Sequence, residues 1–130
     1  MENTKISTVK GNNVGISTKQ SVEICRFLKN KKIEQAINEL EEVVKMKRAV
    51  PMRGEFPHRK GISGGGRYPV KAAAIFIKLL RSLEANANAK NLDTANLIIM
   101  AKADKASRPQ KSGKFSGRRF KRTHITIIAK

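Results

Sequence analysis

The sequence predicts an α+β domain: three helices packed on a small antiparallel three-stranded sheet, with a basic β-hairpin arm protruding from it. Three observations carry this. Helical apolar spacing recurs through the first two thirds of the chain. Two short runs rich in β-branched residues stand near the C-terminus. A long cationic stretch, poor in large apolar side chains, separates those two runs. A chain of 130 residues supports one core rather than two. Residues 1–130 are therefore read as a single domain, with a globular core over about 13–101 and 123–130 and an extended arm over about 102–122.

The first helix opens at Ser17-Thr18-Lys19-Gln20, which fits a capping box, and carries Val22, Cys25, Phe27 and Leu28 before ending near Asn30. Ile33, Ala36, Ile37, Leu40, Val43 and Val44 recur at helical spacing, so a second, amphipathic helix is expected from about Lys32 to Lys47. Its other face bears Glu34, Glu39, Glu41 and Glu42, with lysines nearby and no histidine, which reads as a solvated or protein-facing surface. The third helix begins at Tyr68-Pro69, with Pro69 in its first turn. It is apolar on most sides, with one charged stripe through Lys71, Lys78 and Arg81, and it stops near Asn91. That makes it the centre of the core. Leu97–Ala101 and Ile125–Ile128 read as strands, and Val14-Gly15-Ile16 as a short third. Between residues 102 and 123 the chain is too long for an ordinary loop joining neighbouring strands. It reads as a hairpin whose arms extend past the core, or as an arm ordered by RNA.

Charge narrows the function. Lys and Arg number 28 against 10 Asp and Glu, a net charge of +18. Self-repulsion at this density disfavours a compact monomer unless polyanions neutralise it. The charge is also uneven: residues 1–46 carry net +2, 47–71 net +6, 72–100 net +1 and 101–130 net +9. Two nearly neutral blocks form the frame and two basic blocks face the ligand. No apolar run approaches the ~18–20 residues that span a bilayer. Met1-Glu2-Asn3-Thr4-Lys5 has no apolar stretch behind it for a signal peptide, and the single cysteine suits a reducing compartment.

No catalytic or metal set emerges. Gly61–Gly66 lacks the Gly-Lys-Ser/Thr ending of a P-loop and follows no strand. His58 and His124 have no partner at a recognisable spacing, and one Cys with two His cannot close a zinc site from Cys and His alone. The chain is therefore read as no enzyme, without cofactor or metal. The glycines instead let backbone amides approach phosphates that flanking cations neutralise. The candidate RNA-binding set is Lys47, Arg48, Arg53, His58, Arg59, Lys60, Gly64, Gly65, Arg67 and Lys71 in the first basic block. In the second it is Lys102, Lys105, Arg108, Lys111, Lys114, Arg118, Arg119, Lys121 and Arg122. Phe115 and Phe120 either stack on bases or anchor the arm's base. Two functions remain open on these residues: a structural protein whose arm a large folded RNA orders, or a free-standing basic nucleic-acid-binding protein such as an RNA chaperone or chromatin protein.

Longer motifs decide between them. Ser17–Arg26 resembles the first-helix segment of the universal large-subunit ribosomal protein family numbered twenty-two in bacteria and seventeen in eukaryotes. Gly66-Arg67-Tyr68-Pro69-Val70-Lys71-Ala72-Ala73 is similar to that family's entry into its central helix. Glu84-Ala85-Asn86-Ala87 followed by Lys90-Asn91-Leu92-Asp93 resembles the exit from that helix, and Thr123-His124-Ile125 the start of its last strand. The Gly-Arg-Tyr-Pro form belongs to the archaeal–eukaryotic branch. The resemblance implies a cytoplasmic ribosomal protein that binds large-subunit rRNA near the peptide exit. It also implies neighbouring large-subunit ribosomal proteins as partners, and a hairpin that reaches the tunnel wall and meets the nascent polypeptide. The stretch between Ala103 and Thr123 is shorter than the arm of typical archaeal and eukaryotic members.

Overall fold

Strand β5 (Thr123–Ala129) forms the middle of a three-stranded sheet, between β1 (Ser7–Val14) and β4 (Ile99–Lys105), and pairs antiparallel with both. This computed structural model describes residues 6–52 and 66–130. The alternation in β5 sets the faces: Thr123, Ile125, Ile127 and Ala129 are buried, and the residues between them are not. Register brings Val9 and Ala101 opposite Ile127, and Gly11 and Ala103 opposite Ile125, on the same inner face.

Helix α3 (Val70–Ala89) covers this face over β1 and β5, and α1 (Thr18–Leu28) covers it at β4. Helix α2 (Ile33–Val44) packs chiefly on α3, so it reaches the core from outside the sheet. Phe76, Leu80 and Leu83 of α3 are fully buried with Ile24, Leu28, Leu40 and Ile127. Lys71, Lys78 and Arg81 lie on the exposed stripe, as the pattern predicts. At Gly11 an added Cβ would stand 3.0 Å from Val14 Cγ2 and 3.3 Å from Leu79 Cδ1, so the glycine leaves room for the side chains of Val14 and of Leu79 on α3. Buried hydroxyls are partnered: Ser7 Oγ donates to the Leu83 carbonyl (2.9 Å) and Thr123 Oγ1 to that of Ile16 (2.8 Å).

Several expected boundaries move. The first strand runs over Ser7–Val14 and not Val14–Ile16; Gly15 and Ile16 turn the chain into α1. Its inward positions are Ser7, Val9 and Gly11, so no apolar alternation announces it, and the core reaches back before residue 13. Helix α2 stops at Val44 rather than Lys47. Met46 takes φ 58°, its N–H reaches the Val43 carbonyl, and the Lys47 N–H reaches that of Glu42, closing a Schellman motif. The same motif ends α3: Asn91 (φ 57°) donates to Asn88, and Leu92 donates to Ala87 while packing on the core. Pro69 caps α3 and Val70 is its first residue. Strand β4 starts at Ile99, not Leu97, and continues to Lys105. Lys102–Lys105 thus belong to the sheet rather than to the arm, because β5 opens early, at Thr123, to pair with them. A further antiparallel pair, β2 (Val50–Pro51) with β3 (Gly66–Arg67), has no counterpart in the sequence pattern.

Cys25 lies inside α1 and is 6% exposed. Burial, with the Asp104 carboxylate nearby, pushes its thiol from 9.0 up to about 12. The raised value favours the neutral thiol in the fold, so its contribution to stability is complete below pH 9 and is lost as pH rises toward 12. At pH 8, iodoacetamide is therefore expected to modify the native protein no faster than it unfolds, and to modify it at once in denaturant. Prompt labelling of the folded protein would contradict the burial of this side chain.

Candidate nucleic-acid interface

After Asp104 the chain contains no acidic residue. The structure arranges the cations of this stretch on a backbone paired across the β4–β5 connection. The Ala106 N–H donates to the Arg122 carbonyl (3.4 Å), that of Phe120 to Pro109 (2.8 Å), and that of Lys111 to Arg118 (2.8 Å). Gln110 and Arg119 form an isolated bridge between the two sides, and Gly113 and Gly117, at φ 67° and 90°, turn the far end. Arg108, Lys114, Arg118, Arg119 and Lys121 are exposed; Arg122 and Lys111 are half-buried. Phe120 stays 43% exposed with two cations over it, Lys111 Nζ at 5.1 Å and Arg122 Cζ at 5.4 Å from the ring centroid. Its ring is thus flanked by cations and stays partly open to solvent.

At the root of this connection lies a cavity of about 670 Å³. Three segments wall it: the start of α1, the chain leaving β4, and the chain entering β5. Local bonds fix these walls. Ser17 Oγ accepts from the Gln20 N–H at the helix N-terminus (3.5 Å), the capping half the sequence predicts. Thr18 Oγ1 shares a hydrogen bond with Thr123 Oγ1 (2.9 Å), tying the helix to the head of β5. His124 is structural, as its strand-end place suggests: its Nδ1 accepts from the Asn13 N–H (3.2 Å).

The remaining candidates are placed unevenly. Lys102 lies on the open face of the sheet, its Nζ 3.6 Å from Asp104, and the register sets Lys10 and Lys102 on either side of Thr126. Lys10 escapes a sequence reading that starts the first strand at Val14. Lys19, beside the cavity, escapes it because it stands in a neutral block; its place in the first helical turn is the available signal. Lys47 is exposed in the turn after α2. Arg48 is already engaged, with Nε 2.8 Å from Glu42 and Nη1 3.2 Å from Glu39, which also pairs with Lys31. Arg81 bridges from α3 to Glu41 (3.2 Å), so Glu39, Glu41 and Glu42 on the acidic face of α2 are all paired within the protein. Arg67 is half-buried in β3, and Lys71 is exposed on the first turn of α3. Arg53, His58, Arg59, Lys60, Gly64 and Gly65 lie outside the described residues. Among the described residues no group of His, Cys, Asp and Glu is arranged to hold a metal ion, and no helix is long and apolar enough to cross a membrane.

Comparison with known proteins agrees with this frame. The family described as "Ribosomal protein L22p/L17e" matches residues 9–130. A protein of Archaeoglobus fulgidus named "Large ribosomal subunit protein uL22" is 41% identical, over 98% of this chain and 90% of its own length. Proteins with the same name in Methanoregula boonei and Methanosphaera stadtmanae are 33% and 38% identical, over 100% and 95% of this chain and 92% and 88% of theirs. These relatives are archaeal, as the Gly-Arg-Tyr-Pro form implies. The match takes in α1, α2 and α3, strands β4 and β5, and the cationic connection between those strands; the chain belongs to the L22p/L17e family of ribosomal proteins.

Proposed function

We propose that this protein is a structural constituent of the large ribosomal subunit that binds and stabilises rRNA near the peptide exit tunnel. The observation that carries the proposal is family membership across the three-helix and sheet frame, joined to a β4–β5 connection whose cations meet no acid after Asp104. The work divides between a globular core and a basic arm. The core is built on α3 and the sheet. The arm, which starts beyond Lys105, reaches toward the tunnel wall, where the nascent polypeptide passes. The acidic face of α2 suits neighbouring ribosomal proteins better than RNA, because Arg48 and Arg81 are already engaged by its carboxylates and leave it no surplus of positive charge for phosphate. The cations of the first basic block, Arg53, Arg59, Lys60, Arg67 and Lys71, add phosphate contacts of their own.

The experiment is sedimentation of cell extract. The protein is expected to co-migrate with large subunits through a high-salt sucrose gradient. Removal of residues 107–117 is expected to leave the melting of the purified protein nearly unchanged, because those residues include a single large apolar side chain. It should reduce incorporation into subunits severalfold. Migration with free protein, or with chromatin or bulk RNA and not with subunits, would overturn the proposal.

A further inference from the structure

We propose that the cavity at the root of the β4–β5 connection is a built phosphate seat that grips successive phosphates of one RNA strand. The proposal rests on the RNA-binding reading above and assigns it a specific place. Six of the ten residues lining the cavity are cationic, Lys19, Lys105, Arg108, Arg119, Lys121 and Arg122, and none is acidic. A diffuse basic surface has its charges on convex ground, where each sees mostly water. Here cations from three separate segments converge on one concavity, so their fields add toward a common point. In the absence of an anion they repel one another. The fold nevertheless holds them together: Arg108 Nε is fixed on the Phe120 carbonyl (3.2 Å), Arg122 Nη1 on that of Lys121 (2.9 Å), and Thr18 on Thr123. A site that assembles repelling charges on a hydrogen-bonded scaffold is suited to a polyanion.

Size and shape select the kind of polyanion. About 670 Å³ lies within the ~300–1,000 Å³ of small-ligand sites. It is more than one phosphate needs and too little for a duplex. A stretch of single-strand backbone fits. The lining has no large apolar residue for a base to stack on, so recognition here runs through phosphates and is indifferent to sequence.

The test uses the full-length protein and a fluorescent mixed-sequence single-stranded oligoribonucleotide. Binding is measured across a salt series for wild type, for Lys105→Gln/Lys121→Gln, and for a control pair of equal charge change, Lys29→Gln/Lys45→Gln, at the far ends of α1 and α2. The cavity pair is expected to reduce the slope of log affinity against log salt by about 1.4, two contacts at about 0.7 each, and to weaken low-salt binding about tenfold or more. The control pair is expected to change the slope by less than about 0.3. Inorganic tripolyphosphate, followed by amide NMR of the wild type, is expected to shift residues 17–19, 105–108 and 119–122 and to compete with the RNA. Equal weakening by both pairs, or tripolyphosphate shifts spread evenly over the surface, would overturn the seat while leaving RNA binding in place. Equal competition by poly-glutamate would overturn the assignment to phosphate. No salt-dependent RNA binding by wild type would overturn the underlying reading as well.

Discussion

Replacing Phe76 with alanine is expected to cost about 3–5 kcal/mol of unfolding free energy, far more than any substitution on the exposed surface. Phe76 is fully buried in the helix that touches β1, β5, α1 and α2. Its removal withdraws contacts from both layers at once, and the fully buried side chains around it have little room to collapse into the space. For a chain of this length the loss corresponds to a fall of about 12–20 °C in melting temperature. Two residues along the same helix, Lys78→Ala is expected to change stability by about 0.5 kcal/mol or less, since its side chain lies on the exposed stripe. Urea unfolding of the two variants checks this. Similar losses would mean that α3 presents a different face to the sheet.

The reach of the sequence is clearest where burial has a period. In α2 and α3 the apolar spacing alone names the inward residues, because a helix that covers a sheet must repeat its apolar positions every three or four residues. Strand β1 leaves no such trace. Its inward positions include a serine and a glycine, tolerated because Ser7 finds the Leu83 carbonyl and because the Val14 and Leu79 side chains crowd the place a Cβ would take at residue 11. The stop of α2 is hidden for a related reason. A Schellman turn ordinarily signals itself by glycine, and here methionine occupies the left-handed position.

The interface is half legible in the same sense. Density of charge along the chain marks both basic blocks, and the structure draws Lys105, Arg108, Arg119, Lys121 and Arg122 around one cavity. Composition alone gives Arg48 the same standing. Only the fold shows that Glu39 and Glu42 already hold it, since the turn at Met46 swings it back along α2. Lys19 fails in the opposite direction: a neutral stretch of sequence delivers a cation to a cationic cavity because the helix that carries it begins there.

Affinity for RNA is expected to depend on salt more steeply than on any single side chain. With six to ten phosphates neutralised, a single-strand slope of about −0.7 per contact totals roughly −4 to −7. Between about 50 and 200 mM salt the association constant should then fall by about two and a half to four decades. The expectation follows from a net charge of +18, with no carboxylate after Asp104 to accompany the cations of the β4–β5 connection. Every bound phosphate displaces counterions from the RNA and at the same time relieves repulsion within the protein, and both effects weaken as salt rises. Stacking on the exposed part of Phe120 would act against this trend, because base–aromatic contact carries no counterion term. Fluorescence titrations at several salt concentrations, for wild type and Phe120→Leu, separate the two. A linear log–log plot with a slope in the stated range, displaced but parallel in Phe120→Leu, is the expected result. A nearly flat plot that collapses only in Phe120→Leu would mean that stacking, and not phosphate neutralisation, holds the RNA.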